Sequence, residues 1–327
     1  MKLIKSVLLI AGCSLFLLGC SEKEDSLTIK GEPIKPVKPY LADIVVQEHE
    51  IPIAGLEEKF ELFFMADSHI SLWDDRDAEI AQKAASRYEM FRSESGIGAE
   101  ESFRDMVEYI SDEDPDLLVM GGDILDSAMW ASLEHITEIL EKQDFPWIYE
   151  MGNHDYEYGT EYFSEKCYNE YLPRFQQISD TSEGWQQIEY EDFIVFAVDD
   201  QNNQVSEAAL KALENIYDCG KTILLISHIP IEPLEENGLW EKSIEVWGAS
   251  GEGRSRVLLG SRSCVPNKTT GKFLELVYAE QSPIKLILSG HVHFYHDGAL
   301  TKNTRQIVTG ACFNREMVKV TLVPEKE

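Results

Sequence analysis

Basic residues are scarce in this chain. Lys and Arg number 29 against 59 Asp and Glu in 327 residues, a formal net charge of −30. So acidic a body repels a nucleic-acid backbone or an anionic membrane face, and no nucleic-acid partner is expected. The acids are spread along the chain rather than gathered in a tail, as on a solvated surface. Cysteine is sparse too: Cys13, Cys20, Cys167, Cys219, Cys264 and Cys312, with no C-x-x-C pair, do not make a zinc ribbon. Past Cys13 and Cys20, the other four could form disulfides outside the cell or stay as buried thiols. There is no internal repeat, and the N-terminal apolar run from Ser6 to Leu18 is short for a membrane span.

That run has another reading. Lys2 and Lys5 precede it, and it ends in Leu17-Leu18-Gly19-Cys20, which resembles the bacterial lipobox. The resemblance implies removal of residues 1–19, a lipid on Cys20, and a protein held on the outer face of the bacterial cell membrane. An ordinary secretory peptide or an uncleaved anchor is the alternative. Residues 20–40 are polar and then carry Pro33, Pro36 and Pro39, a composition that favours extended backbone and suits a tether. The remaining 41–327 is read as one domain.

Within it, apolar runs alternate with helical periodicity. Strands are expected at 59–66, 116–120, 147–150, 222–226 and 284–289, and helices at 77–92, 100–111, 130–142, 160–178, 206–217 and 271–280. A hairpin is expected around Glu191-Asp192, and two late strands, 305–309 and 317–322, have no helix between them. This pattern predicts a layered α/β sandwich with mixed sheets.

The polar residues just past the strands carry the chemistry. The last strand runs into Gly290-His291-Val292-His293. In extended backbone, residues i and i+2 point to the same side, so both imidazoles can face one point. Alone, such a pair is compatible with incidental strand histidines. Upstream, however, the first strand is followed by Asp67-Ser68-His69, the second by Gly122-Asp123, the third by Gly152-Asn153-His154-Asp155, and the strand ending at Ile226 by Ser227-His228. Ligand-type residues thus stand at the carboxyl ends of five strands, where open α/β sheets place their sites. The order D-x-H, GD, GNH[D/E], a further His and GHxH resembles the calcineurin-like metallophosphoesterases, from Asp67 to His293.

That resemblance implies an α/β/β/α sandwich and two divalent or trivalent transition-metal ions. Asp67, His69, Asp123 and His293 would hold one; Asn153, His228 and His291 the other, with Asp123 bridging. Mixed oxygen and nitrogen donors suit Mn, Fe, Zn or Co. The implied activity is hydrolysis of phosphate esters, monoester or diester, by in-line attack of an activated water. His154 would assist the leaving group, and Asp155 could orient it or serve as a plain turn residue. Asp126 could support the site from behind or cap a helix. Ser227 stands where the family often has Gly, a small departure that leaves His228 in place. The glycines beside Asp123, Asn153 and His291 are expected to clear space for phosphate.

Between His228 and His291 lies an insert at about 231–268, expected over the metal face as a glycine-hinged lid. In so acidic a chain Arg254, Arg256 and Arg262 are exceptional, and Arg254 or Arg256 is expected to bind a substrate group, the alternative being ion pairs with surface acids. Tyr156 and Tyr158 could line the cleft, and His296 could reach substrate. Two other classes fit parts of the chain: a metal-retaining but silent member of the same fold, and a solute-binding lipoprotein. The first tends to lose ligands that this chain keeps; the second explains the anchor but not the motifs.

Overall fold

The computed structural model describes residues 38–156, 169–180, 183–248, 258–261 and 265–326. Its strands are β1 Val45–Ile53, β2 Phe60–Met65, β3 Leu117–Gly121, β4 Trp147–Glu150, β5 Trp185–Glu189, β6 Phe193–Val198, β7 Thr222–Ser227, β8 Ile284–Ser289, β9 His296–Ala299, β10 Arg305–Val308 and β11 Glu316–Pro324. The helices among the described residues are α1 Ala81–Met90, α2 Ala99–Glu113, α3 Trp130–Leu140, α4 Glu207–Tyr217, α5 Leu239–Trp247 and α6 Lys268–Tyr278. None of them is long and apolar enough to cross a membrane.

Two mixed sheets form, in the orders β1-β11-β2-β3-β4 and β5-β6-β7-β8-β10-β9. Strand alternation sends side chains to opposite faces. In β2, Leu62 and Phe64 join Val195, Leu224 and Leu286 between the sheets, while Phe63 and Met65 turn to helix residues Phe103, Met106, Ile110 and Ile136. The second sheet does the same, with Phe196, Leu225 and Ile287 against Leu213 of α4 and Phe273 of α6. Runs buried on both faces explain why the inner strands read as continuous apolar stretches. The layers are therefore α/β/β/α.

Several expectations shift. β1 and β9 were not legible, since each carries polar residues on an exposed face. The two late strands exist, but β10 pairs with β8 while β11 crosses to the other sheet, between β1 and β2. The helix expected at 77–92 is a 3-10 segment, Asp75–Ile80, followed by α1. Of the helix expected at 160–178, residues 160–168 lie outside the described residues, 169–171 are helical and Leu172–Phe175 is 3-10. Lys38 and Tyr40, at the end of the expected tether, bond to Glu108 of α2, and the Tyr40 carbonyl accepts from buried Arg315.

Candidate metal centre

β2, β3 and β4 of one sheet and β7 and β8 of the other end on the same side, and the loops leaving them meet. The loops after β2 and β3 bond to each other, with Asp67 N donating to Gly122 O and His69 N to Asp123 O. Within the second sheet, Gly290 N donates to His228 O, and across the sheets His291 N donates to Asp67 Oδ2 at 2.8 Å.

Convergence of the i, i+2 pairs has a different cause from the one expected. Asp67, His69, Asp123, His291 and His293 all adopt left-handed backbone, with φ of 58°, 52°, 52°, 70° and 58°. The strands have already ended, so extended geometry does not aim these side chains; alternate left-handed residues do. Such conformations cost of order 1–3 kcal/mol each and persist where surrounding structure over-determines them.

The result is three groups of donor atoms, each within 4.8 Å: two hold the expected ligands, Asp67, His69 and His293, and Asp123, His228 and His291; in the third, His69 and His154 both turn Nδ1 to Asp126. His69 Nε2 lies 3.1 Å from His293 Nε2 and 3.8 Å from both Asp67 Oδ1 and Asp123 Oδ2. His228 Nε2 lies 3.1 Å from the same Asp123 Oδ2. One carboxylate oxygen therefore faces both ligand groups. Asn153 Oδ1 is buried without a hydrogen-bond partner, and Asp67 Oδ1 and His228 Nε2, also buried, make no hydrogen bond of good geometry although they face His293 Nε2 at 3.3 Å and Asp123 Oδ2 at 3.1 Å. Buried polar atoms are nearly always bonded, so these point to an ion as the missing partner. The donor set of carboxylates, imidazoles and one amide fits transition metals.

The electrostatics agree. Burial would raise the carboxyls of Asp67 and Asp123, but facing imidazoles outweigh it and hold both below the usual range, Asp123 well below. Burial would lower His228, yet Asp123 against it pushes its pKa up to about 10. His69 is pushed down to about 4 by burial first. Buried negative charge is concentrated at one point, where a cation would neutralise it.

His154 and its surroundings bear on a second expectation. Of the two roles open to Asp155, orienting His154 or serving as a turn residue, its contacts match the second. It is fully buried and accepts from Asp123 N, Leu125 N, Gly152 N and Tyr149 Oη, so it braces the loops after β3 and β4. Burial, with Asp123 nearby, pushes its pKa up to about 7. Asp126 stands at His154 instead, Oδ1 lying 2.9 Å from Nδ1, and the same oxygen is 3.1 Å from His69 Nδ1. Arg87 of α1 grips Asp126 through Nε and Nη2. Burial would lower the His154 pKa, but the charges of Asp123 and Asp126 raise it. Arg87 carried no sequence signal, because its neighbours in the site are 39 and 67 residues away.

The glycines serve the loops more than a phosphate. A Cβ on Gly152 would lie 2.3 Å from Asp123 Oδ1 and 2.5 Å from its backbone N; on Gly290, 2.6 Å from Asp67 Oδ2. Gly152→Ala is expected to cost about 1–3 kcal/mol of stability through overpacking and to lower metal content as Asp123 moves. A thermal melt with metal analysis checks this, and an unchanged melt and metal load would refute the close approach.

An aromatic wall, not anticipated, backs the His69–His293 side. Phe91 stacks on His69 with centroids 4.0 Å apart, and Phe313 and Trp247 lie 5.4 and 5.5 Å from the His293 ring. Trp247 ends α5, so the insert reaches the metal face as a helix anchored by its Nε1 on Val292 O. The insert's glycine-rich residues 249–257, with Arg254 and Arg256, and Arg262, lie outside the described residues. Tyr156 is core, its hydroxyl on Asp199; Tyr158 lies outside the described residues. His296, on β9, is half-buried beside Gly238.

A family model described as calcineurin-like phosphoesterase matches residues 60–295. No curated protein matches the chain significantly. Among solved structures, a dimetal phosphatase from Danio rerio is similar at TM-score 0.49 and 12% identity, covering 80% of this chain and 91% of that one. A purple acid phosphatase from yellow lupin seeds is similar at TM-score 0.47 and 14% identity, over 81% and 46%. A phosphopantetheinyl hydrolase from Mycobacterium tuberculosis is similar at TM-score 0.45 and 12% identity, over 79% and 92%.

Proposed function

Because the chain belongs to the calcineurin-like phosphoesterases, we propose that it is a two-metal hydrolase of phosphate esters working on the outer face of a bacterial membrane. The observation that carries the two-metal reading is Asp123 Oδ2, placed 3.8 Å from His69 Nε2 and 3.1 Å from His228 Nε2. Asp67, His69 and His293 would hold one ion and Asn153, His228 and His291 the other, with Asp123 shared. Bound Mn, Fe, Zn or Co ions would supply Lewis acidity toward phosphoryl oxygens and acidify water at the site.

The protein's own part is orientation and proton transfer. Asp67 Oδ2, accepting from His291 N, fixes one carboxylate across the two sheets. Asp123 Oδ1 accepts from His154 N at 2.7 Å, which ties the shared carboxylate to the loop carrying the proton donor. His154 turns Nδ1 to Asp126, so Nε2, on the opposite edge, would protonate the leaving oxygen as water attacks phosphorus in line. A panel of p-nitrophenyl mono- and diesters, assayed on residues 21–327 with and without Mn, tests the reading. Metal-dependent turnover of one ester class is expected; no turnover with any metal would overturn it.

The support for the surface location is sequence alone: Leu17-Leu18-Gly19-Cys20 after a short apolar run, then a polar, proline-bearing stretch. Residues 1–37 lie outside the described residues. Cys20→Ala is expected to release the protein from membranes or leave an unprocessed precursor. Identical fractionation and processing of variant and wild type would refute the anchor.

A further inference from the structure

Resting on the reading above, we propose that Arg87 is a positioning residue for departure of the leaving group, acting through Asp126 and His154. Asp126 Oδ1 is crowded: His69 Nδ1 at 3.1 Å, His154 Nδ1 at 2.9 Å and Arg87 Nη2 at 2.6 Å all meet it, while Oδ2 accepts from Arg87 Nε. A carboxylate shared by two imidazoles can rotate to favour either one. A guanidinium bound at two points fixes its plane, because the fork allows one orientation only. The plane of Asp126 in turn sets the His154 ring, and Arg87 Nη2 also lies 3.2 Å from His154 Nδ1.

Arg87 is itself held. Its Cζ sits 4.8 Å from the centroid of the Phe91 ring, and that ring stacks on His69. One residue of α1 thus touches the apparatus of both a metal ligand and the proton donor, although α1 lies outside the five strand-end loops. Its side chain is 20% exposed while Asp126 is fully buried, so it closes the network at the solvent side.

The test compares Arg87→Lys, which keeps the charge and loses the fork, with Arg87→Met, which loses both. It uses whichever ester class wild type hydrolyses, with p-nitrophenol as a good leaving group and a simple alcohol as a poor one. Both variants should lose about 10- to 100-fold in kcat for the poor leaving group. They should lose less than about threefold for p-nitrophenol, with KM and metal content near wild type. Millimolar guanidinium should restore part of the rate of Arg87→Ala, and ammonium should not. On metal-free protein at one pH, the 15N shifts of the His154 imidazole should move in both variants. Wild-type behaviour of Arg87→Lys on both esters would reduce Arg87 to a counter-charge and overturn the proposal. Equal losses on both esters together with lost metal would overturn it in favour of a structural role. Should Arg87→Met not fold, Arg87→Lys decides alone. Wild type inactive on every ester overturns the functional reading and this proposal together, whereas an active wild type with indifferent variants overturns only this one.

Discussion

Asp123→Ala should remove metal and turnover together. Its Oδ2 faces both groups of imidazoles, at 3.8 Å from His69 Nε2 and 3.1 Å from His228 Nε2. Ala would leave neither group with the shared oxygen, and His228 would lose the charge that faces it in a fully buried site. Loss of a metal-derived contribution of several kcal/mol corresponds to about 10³-fold or more in kcat/KM. Asp123→Asn separates charge from shape: it keeps an oxygen to accept from His154 N, so it should fold near normally while binding metal more weakly. Metal analysis and ester hydrolysis on the same preparations check both variants. Full-rate hydrolysis by a chelated, metal-free wild type would sink the assignment.

His154→Ala should keep its metal and lose about 10²-fold or more in kcat for an ester with a poor leaving group. His154 clusters with His69 and Asp126, its Nδ1 turned to the Asp126 carboxylate, and it belongs to neither group that contains Asp67 or Asp123. Asp126 would keep His69 and the two bonds from Arg87, so the buried carboxylate stays paired and the fold stays intact. With p-nitrophenolate, which departs without a proton, the loss should shrink. Equal losses for both leaving groups, measured at matched metal content, would remove the proton-donor role.

The residue pairs of this site were readable because each sits at a strand end, and strands announce themselves by short apolar runs. Asp67 and His69, Asp123, Asn153 and His154, His228, and His291 with His293 are all placed by that rule. What aims them was not readable. Spacing of two suggested extended backbone, whereas five of these residues are left-handed, and Asp67 and His69 are held so by bonds across loops to the Gly122 and Asp123 carbonyls. Asp155 looked like the partner of His154 because it is adjacent in the chain. Adjacent side chains leaving a turn point apart, and Asp155 turned inward to three backbone N–H groups while Asp126 took its place. The insert was read from its glycines as a lid, and residues 249–257 of it lie outside the described residues; Leu239–Trp247 form a helix that no sequence pattern announced, placed by burial of Leu239 with Val292, Phe294 and Val308.

By itself, then, the sequence determined the α/β alternation and which residue types stand past which strands. Both are local properties, set by periodicity and by the abrupt change from apolar to polar at each strand end. The acidity and the N-terminal signal pattern belong to the same level, being composition and order alone. The family resemblance already implied that Asp123 is shared; only the tertiary structure decided which of its oxygens faces both donor groups, how the loops of two sheets are tied together, and that Arg87, Asp126 and His154 form one network. Those contacts join residues tens to hundreds of positions apart. Their energies come from burying charge in a shared low-dielectric space, and no local pattern records which distant partner fills it.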